Sequence, residues 1–223
     1  MRKNILIAID GPSGAGKSTL AKAIAEKLDI MHLDTGALFR ALGYAALVKG
    51  FDTRNSEQAA ELVNLVKLDI EFEGKDQKVL INGEDVTPYI RTEDVSIAAS
   101  NISVHPIIRD YILSQERQLA ERESFILDGR DIGTVVLPNA DVKIFLTASP
   151  QVRAERRLQD LIRAGDQNAK YEQVLQDIET RDSQDSNRQT APTRMADDAV
   201  LIDSSNLTIE ETVAKVLALV DQS

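Results

Sequence analysis

Gly11-Pro12-Ser13-Gly14-Ala15-Gly16-Lys17-Ser18 is a complete G-x-x-x-x-G-K-[ST] run, and residue types in that order do one kind of chemistry, which is to hold phosphate. Glycines let the backbone turn so that successive N–H groups converge on phosphate oxygens, and the helix that follows adds the positive end of its dipole. Lys17 reaches toward the β- and γ-phosphates, and Ser18 ligates Mg²⁺. A glycine-rich turn with no ligand is the plain alternative. The run lies, however, between the apolar residues 5 to 9 and the helical stretch 18 to 28, which is the strand–loop–helix setting the motif requires. A nucleoside triphosphate site near residue 11 is expected.

The loop alone leaves the reaction open, because GTPase switches, motor ATPases and small-molecule kinases all hold phosphates this way. The D-x-x-G and N-K-x-D motifs of a guanine-nucleotide switch are absent from the sequence. A kinase needs a second anion site, cations for the charge that develops on the migrating group, and a lid that keeps water out. Candidates for the second site are Asp34-Thr35-Gly36-Ala37-Leu38-Phe39-Arg40, Arg109 and Asp128-Gly129-Arg130-Asp131. The last group follows the apolar run 125 to 127, and the C-terminal ends of strands face the ligand crevice in open α/β sheets. Asp128 is placed to hold Mg²⁺, directly or through water, with Ser18. An ordinary turn is the plain reading of Asp128-Gly129. Arg40 and Arg130 carry the guanidinium fork that suits a phosphate monoester. Arg181, Asp185 and Arg188 fall at spacings of four and three, so a helix would put them on one face. Read plainly, they are a surface salt-bridge ladder worth under ~1 kcal/mol per pair.

The elements that must position these groups follow from hydrophobic pattern. Apolar runs at 5 to 9, 125 to 127, 142 to 146 and 199 to 202 alternate with helical patterns at 17 to 28, 37 to 48, 56 to 66, 106 to 122, 150 to 163, 170 to 183 and 208 to 220, with Asp34, Ser56 and Thr208 as caps. This predicts an α/β fold, a parallel sheet flanked by helices. Residues 68 to 72 and 78 to 81 alternate at period two before an Asn82-Gly83 turn, so about 63 to 102 reads as a small β-containing insertion. The 223 residues are 43 % hydrophobic with no apolar stretch near the ~18 residues of a membrane helix. Arg2 and Lys3 lead directly into a short strand and the phosphate loop, which reads as no secretory leader and a cytoplasmic protein. A net charge of −10 repels a nucleic-acid backbone. Arginines nevertheless gather at Arg153, Arg156, Arg157 and Arg163, for which a solvated helix face is the plain reading. No cysteine and only two histidines, His32 and His105, leave oxygen-held divalent metal as the metal chemistry open to the chain.

The runs IDGPSGAGKS, DTGALFR, DGRDIGTVVLP and RDSQDSNRQTAP together resemble the bacterial cytidylate kinases of the P-loop nucleoside monophosphate kinase superfamily, essentially end to end. The resemblance implies a P-loop kinase with a small β-containing insertion that binds the nucleoside monophosphate and with a helical lid. It implies transfer of the γ-phosphoryl group of ATP to CMP or dCMP, with Mg²⁺ as cofactor. In matching motifs, Lys17, Asp128, Arg130 and Arg188 are the implied catalytic set. Gly11, Pro12, Ser13, Gly14, Ala15, Gly16, Lys17, Ser18 and Thr19 bind ATP with lid residues Arg156 and Arg157. Ser18 and Asp128 are the implied metal residues. Asp34, Thr35, Arg40, Arg130 and Arg188 surround the acceptor phosphate, Ser100, Arg109 and Asp131 read cytosine, and Arg181 and Asp185 contact the sugar. The implied organisation is one domain: a core of about 1–62, 103–150 and 166–223, an acceptor-binding insertion of about 63–102 and a lid of about 151–165. Residues 34 to 102 are expected to close over CMP and about 150 to 165 over ATP. A monomer without nucleic-acid or membrane partners is implied. The chain departs from many relatives at Phe39, where tyrosine is common, and at Gln184 and Ser186, which are basic in some. A kinase for another small acceptor such as UMP, and a slow ATP-hydrolysing switch, are the alternatives.

Overall fold

The structure, a computed structural model, describes residues 4–121, 123–163 and 165–222. Arg2 and Lys3, the Arg122 end of one expected helix and Ala164 of the expected lid lie outside the described residues. The chain forms two compact units, one of Met1–Ile30 with Ile126–Ser223 and one of Met31–Phe125.

The first apolar run forms β1 (Leu6–Asp10), and the helical pattern behind the phosphate loop forms α1 (Lys17–Leu28), whose Leu20, Ala21, Ile24 and Ala25 recur at helical spacing and are buried. The second unit opens with β2 (Met31–Asp34) and α2 (Thr35–Val48). This helix starts two residues before the expected position, because the Asp34 carboxylate accepts the Ala37 N–H at 3.1 Å and caps it. In α3 (Ser56–Leu65) the cap is Asn55 and not Ser56, since the Asn55 side chain accepts the N–H groups of Glu57 and Gln58. The period-two segments form β3 (Leu68–Glu73) and β4 (Asp76–Ile81), antiparallel with Leu68 opposite Ile81, and β4 pairs in turn with β5 (Glu84–Asp85). Asn82 and Gly83 both take positive φ, 53° and 84°, as the two-residue turn between those strands demands. Next come α4 (Glu93–Ile102) and α5 (Pro106–Ala120). Helix α4 is not among the elements expected from the hydrophobic pattern; its start is marked by the Thr92 hydroxyl accepting from Val95.

Back in the first unit, β6 (Phe125–Gly129) leads to a π-helical turn (Ile132–Val136), β7 (Val142–Thr147), α6 (Pro150–Arg163), α7 (Tyr171–Asn187), β8 (Val200–Asp203) and α8 (Ile209–Val220). Here the strands lie side by side in the order β6-β1-β7-β8, and β1 and β8 both pair parallel with β7. Strands β1, β6 and β7 are buried almost throughout, which is why they read as continuous apolar runs and not as alternation. Ile7, Ile9, Leu20, Ile24, Ile126, Ile144 and Val216 form the core that fixes the ends of β1 and β6, where the chemistry-bearing residues begin. Thr208 and Glu211 close a capping box at the start of α8.

Within the second unit, Gly43 of α2 lets α4 approach closely: a Cβ there would stand 2.8 Å from the Ala99 backbone nitrogen. Gly43→Ala therefore sets a helix-propensity gain of about 1 kcal/mol against an overpacking cost of about 1–3 kcal/mol. A net loss of stability in urea unfolding is expected. A midpoint equal to the parent's or higher would mean that α2 and α4 do not meet so tightly.

Candidate active site

The phosphate loop turns on a backbone that tolerates no side chain at its entry. Gly11 adopts φ 147°, and a Cβ on it would lie 1.9 Å from the Leu146 carbonyl oxygen at the end of β7. Gly14 and Gly16 take φ 75° and 91°. Gly16 is the N-cap of α1 and supplies no side-chain cap, which leaves the first amides of the helix for an anion. Lys17 is buried, and its ammonium donates to the Pro12 carbonyl at 2.8 Å. Burial, and next the positive charge of Arg130, pull the Lys17 ammonium down to about 7, against the opposing pull of Asp128 and Asp10.

The two expected metal residues meet: the Ser18 hydroxyl donates to Asp128 Oδ2 at 2.8 Å across the ends of α1 and β6. Two residues beyond, Arg130 Nε donates to Asp185 Oδ2 at 2.8 Å. Arg188 places one terminal nitrogen 3.7 Å from Asp131 Oδ1 and the other 3.8 Å from Asp185 Oδ1. The four residues Arg130, Asp131, Asp185 and Arg188 thus form one partly buried cluster of alternating charge. Burial pushes the Asp185 carboxyl up, but Arg130, Arg188 and Arg181 together pull harder and hold it below the usual carboxylate range. Arg188 is not on the helical face expected from its spacing. α7 ends at Asn187, Arg188 has extended backbone, and its Nε donates to the carbonyl of Ala191, a residue held at φ 47°.

In the other unit, Arg40 donates to Asp34 Oδ2 at 2.8 Å, so the carboxylate that caps α2 also orients a guanidinium one turn further on. Thr35, between them, is buried. The buried Arg40 Nε has no hydrogen-bond partner among the described residues. Burial raises the Asp34 carboxyl, and Arg40 outweighs it and keeps the carboxyl low. Gln77 of β4 brackets Asp34, accepting its N–H at 2.8 Å and donating to its carbonyl at 3.2 Å. Ser100 and Arg109 converge on Ser103: the Ser103 hydroxyl donates to the Ser100 carbonyl at 2.8 Å, and Arg109 to the Ser103 carbonyl at 3.4 Å. The Arg109 guanidinium lies over the Phe39 ring, 5.5 Å from its centroid, so this residue does pack as an aromatic platform.

Of the expected lid arginines, Arg156 donates to the Ser204 carbonyl at 2.8 Å and to its hydroxyl at 3.3 Å, while Arg157 is exposed. Arg156 helps to line a cavity of about 300 Å³ beside the phosphate loop, together with Ala15, Gly16, Thr19, Ser204 and Thr208. Three residues outside the expected site set, Asp10, Arg153 and Asp182, also hold these segments. Asp10 ends β1 and accepts the N–H groups of Ile132 and Gly133, both at 2.7 Å, which fixes the turn after Asp131; burial pushes its carboxyl up to about 6. Its signal was an acid at the end of an otherwise apolar strand. Arg153 and Asp182 pair with each other at 2.6 Å, and no local pattern in the sequence marks either one. Among the described residues no three His, Cys, Asp or Glu side chains gather as a metal cage. One carboxylate and one hydroxyl suit a cation that takes its remaining ligands from phosphate oxygens and water.

A family model described as cytidylate kinase matches residues 7–222 of the chain. The cytidylate kinase of Bacillus subtilis strain 168 is 44 % identical over 222 residues, which cover 100 % of this chain and 99 % of that protein. The cytidylate kinase of Bacillus cereus strain ATCC 10987 is 44 % identical over 221 residues, covering 99 % and 97 %. Among solved structures, an uncharacterized protein from Eubacterium ventriosum shares the fold, with a TM-score of 0.53 at 15 % identity over 99 % of this chain and 100 % of that one.

The depressed Lys17 ammonium has a measurable consequence. Below pH 7 it is charged with or without ligand; above about 7 it is neutral until phosphate raises its affinity for the proton. Calorimetry of nucleoside triphosphate binding at pH 8 in two buffers of different ionisation enthalpy should show uptake approaching about one proton, lost in Lys17→Met. Equal heats in the two buffers would show that Lys17 is already charged.

Proposed function

The chain belongs to the cytidylate kinase family, and from that premise we propose how its residues carry the γ-phosphoryl group of ATP to CMP or dCMP. The products are CDP or dCDP and ADP, so the protein is a nucleoside monophosphate phosphotransferase of pyrimidine nucleotide metabolism. The observation that carries the assignment of roles is the end of β6. There Asp128 turns to the phosphate loop through Ser18, while Arg130 and Asp131 join the cluster with Asp185 and Arg188. One short segment thus serves both the donor loop and a cationic cluster suited to a second phosphate.

An oxygen of the CMP phosphate attacks the γ-phosphorus, a P–O bond forms, and the bond to the β-phosphate oxygen breaks as ADP leaves. No strong general base is required, because positioning and charge supply most of the catalysis in this type of transfer. Lys17 and the amides of Gly11 through Thr19 hold the donor phosphates. Arg40, Arg130 and Arg188, with Asp34 and Thr35, hold the acceptor phosphate. The Arg188 ion pairs at 3.7 and 3.8 Å are longer than hydrogen bonds, so phosphate oxygens replace them at small cost. Ser18 and Asp128 fit Mg²⁺, which when bound neutralises charge on the donor phosphates. Asp131 accepts from the 4-amino group of cytosine while Ser100 and Arg109 donate to its ring acceptors, and Arg181 and Asp185 contact the sugar. A pyrimidine with O4 would face Asp131 with an acceptor, which makes UMP a poor substrate.

The cavity lined by Arg156 and Thr19 takes the base of ATP, and Arg157 reaches its phosphates from the lid of about 151–165. Residues of about 63–102 serve as the acceptor-binding insertion, and the core about 1–62, 103–150 and 166–223 carries the rest. Among the described residues no helix is long and apolar enough to cross a membrane. With a net charge of −10 the reading is a cytoplasmic monomer that handles small nucleotides and not nucleic acid.

A coupled ADP-release assay tests the reaction: fast release with CMP and dCMP, little with UMP or AMP, almost none with ATP alone. Release independent of an acceptor would favour an ATPase switch. Arg188→Ala should lower kcat by about 10²–10³-fold without lowering the unfolding midpoint appreciably, and unchanged turnover would remove Arg188 from the acceptor site.

A further inference from the structure

Arg153 stands apart from the other arginines of α6 in being 3 % exposed and in making contacts on three separate segments. Its Nε donates to the Ala148 carbonyl at 2.9 Å, its Nη1 to the Ser13 carbonyl and to Asp182 Oδ1, each at 3.0 Å, and its Nη2 to Asp182 Oδ2 at 2.6 Å. The stem lies on the phosphate loop as well, since a Cβ on Gly14 would be 3.3 Å from Arg153 Cβ.

Each end of this contact set belongs to chemistry. In a trans peptide the carbonyl and the next N–H point in opposite directions, so holding the Ser13 carbonyl fixes the direction of the Gly14 N–H inside the phosphate loop. At the other end, Asp182 lies on α7 three residues before Asp185, less than one turn of a hydrogen-bonded helix and about 4.5 Å along its axis. Asp185 in turn holds Arg130 at 2.8 Å and stands 3.8 Å from Arg188. A planar fork with several donors is needed to grip a carbonyl and both carboxylate oxygens together, and an ammonium on a flexible stem cannot do so.

We propose that Arg153 and Asp182 are positioning residues that couple the donor loop to the acceptor cluster, so that a triphosphate seated on the loop tightens the hold on the monophosphate. The coupling rests on the ATP and CMP reading above. A pair that merely stitches α6 to α7 would, when broken, cost stability and leave the interaction between the two nucleotides as it was.

The test is the calorimetric Kd of CMP on the full chain with Mg²⁺, with and without a saturating non-hydrolysable ATP analogue. In the parent, the analogue should tighten CMP by about fivefold or more. In Arg153→Lys and in Asp182→Asn that factor should fall below about twofold while the Kd for CMP alone barely moves. The double variant Arg153→Met with Asp182→Leu leaves no buried charge unpaired and should fold, and it should show the same loss of coupling. Variants that keep the parent's factor, whatever their melting temperature, overturn the proposal, as does a parent in which the analogue leaves CMP affinity unchanged. A parent that binds neither nucleotide overturns the reaction reading and the coupling with it.

Discussion

Cations gathered for anionic phosphates repel one another before any phosphate arrives, and in a buried site that repulsion is weakly screened. The arrangement of the charged residues within each unit follows from relieving it. Lys17 registers the problem most directly: burial and the nearby Arg130 strip its ammonium of much of its hold on the proton. The arginines are managed by interleaved carboxylates, Arg130 by Asp185, Arg188 by Asp131 and Asp185, Arg153 by Asp182 and Arg40 by Asp34. The Asp34 carboxylate also does a second job set by its place in the fold, capping α2. The positive charge is therefore present and oriented without being left buried and uncompensated.

That arrangement needs rigid supports, and the sheet of the first unit provides them. Gly11 turns against the Leu146 carbonyl with no room for a side chain, so the phosphate loop is seated on β7 by close packing of backbone. Asp10, at the end of β1, spends both oxygens on the amides of Ile132 and Gly133 and thereby fixes the turn that follows Asp131. A buried carboxylate with two amide partners is well satisfied, yet burial still pushes its proton affinity up. The phosphate loop and the segment that carries Asp128, Arg130 and Asp131 thus grow from adjacent strands, β1 and β6, of one core.

The two units set their charged and polar groups in different ways. In the first, charge sits on residues whose backbone is tied to strands and helix ends, such as Lys17 at the start of α1 and Asp128 in β6. The second unit instead sets its polar groups through side-chain and turn contacts: Arg109 over Phe39, and Ser100 with Arg109 through Ser103. Phe39 supplies the ring that supports a guanidinium and carries no hydroxyl.

Much was legible in the chain because its signals are local. The glycines, Lys17 and Ser18 of the phosphate loop act over eight consecutive residues, the buried strands announce themselves by unbroken apolar runs, and Asn82-Gly83 can form hardly anything but a tight turn. The Ser18–Asp128 meeting was also foreseeable, since both residues lie at ends of elements that open on the same crevice of an α/β sheet. What only the tertiary structure decided are the partners of buried charge. Spacing put Arg181, Asp185 and Arg188 on one helical face, but α7 ends before Arg188, which bends away to bond Ala191. An arginine in α6 reads the same whether it points to solvent, as Arg157 does, or closes on the Ser13 carbonyl and Asp182, as Arg153 does. A side chain's choice among distant carboxylates and carbonyls depends on which of them the folded core leaves within 3 Å of its nitrogens, and no local pattern of residues contains that distance.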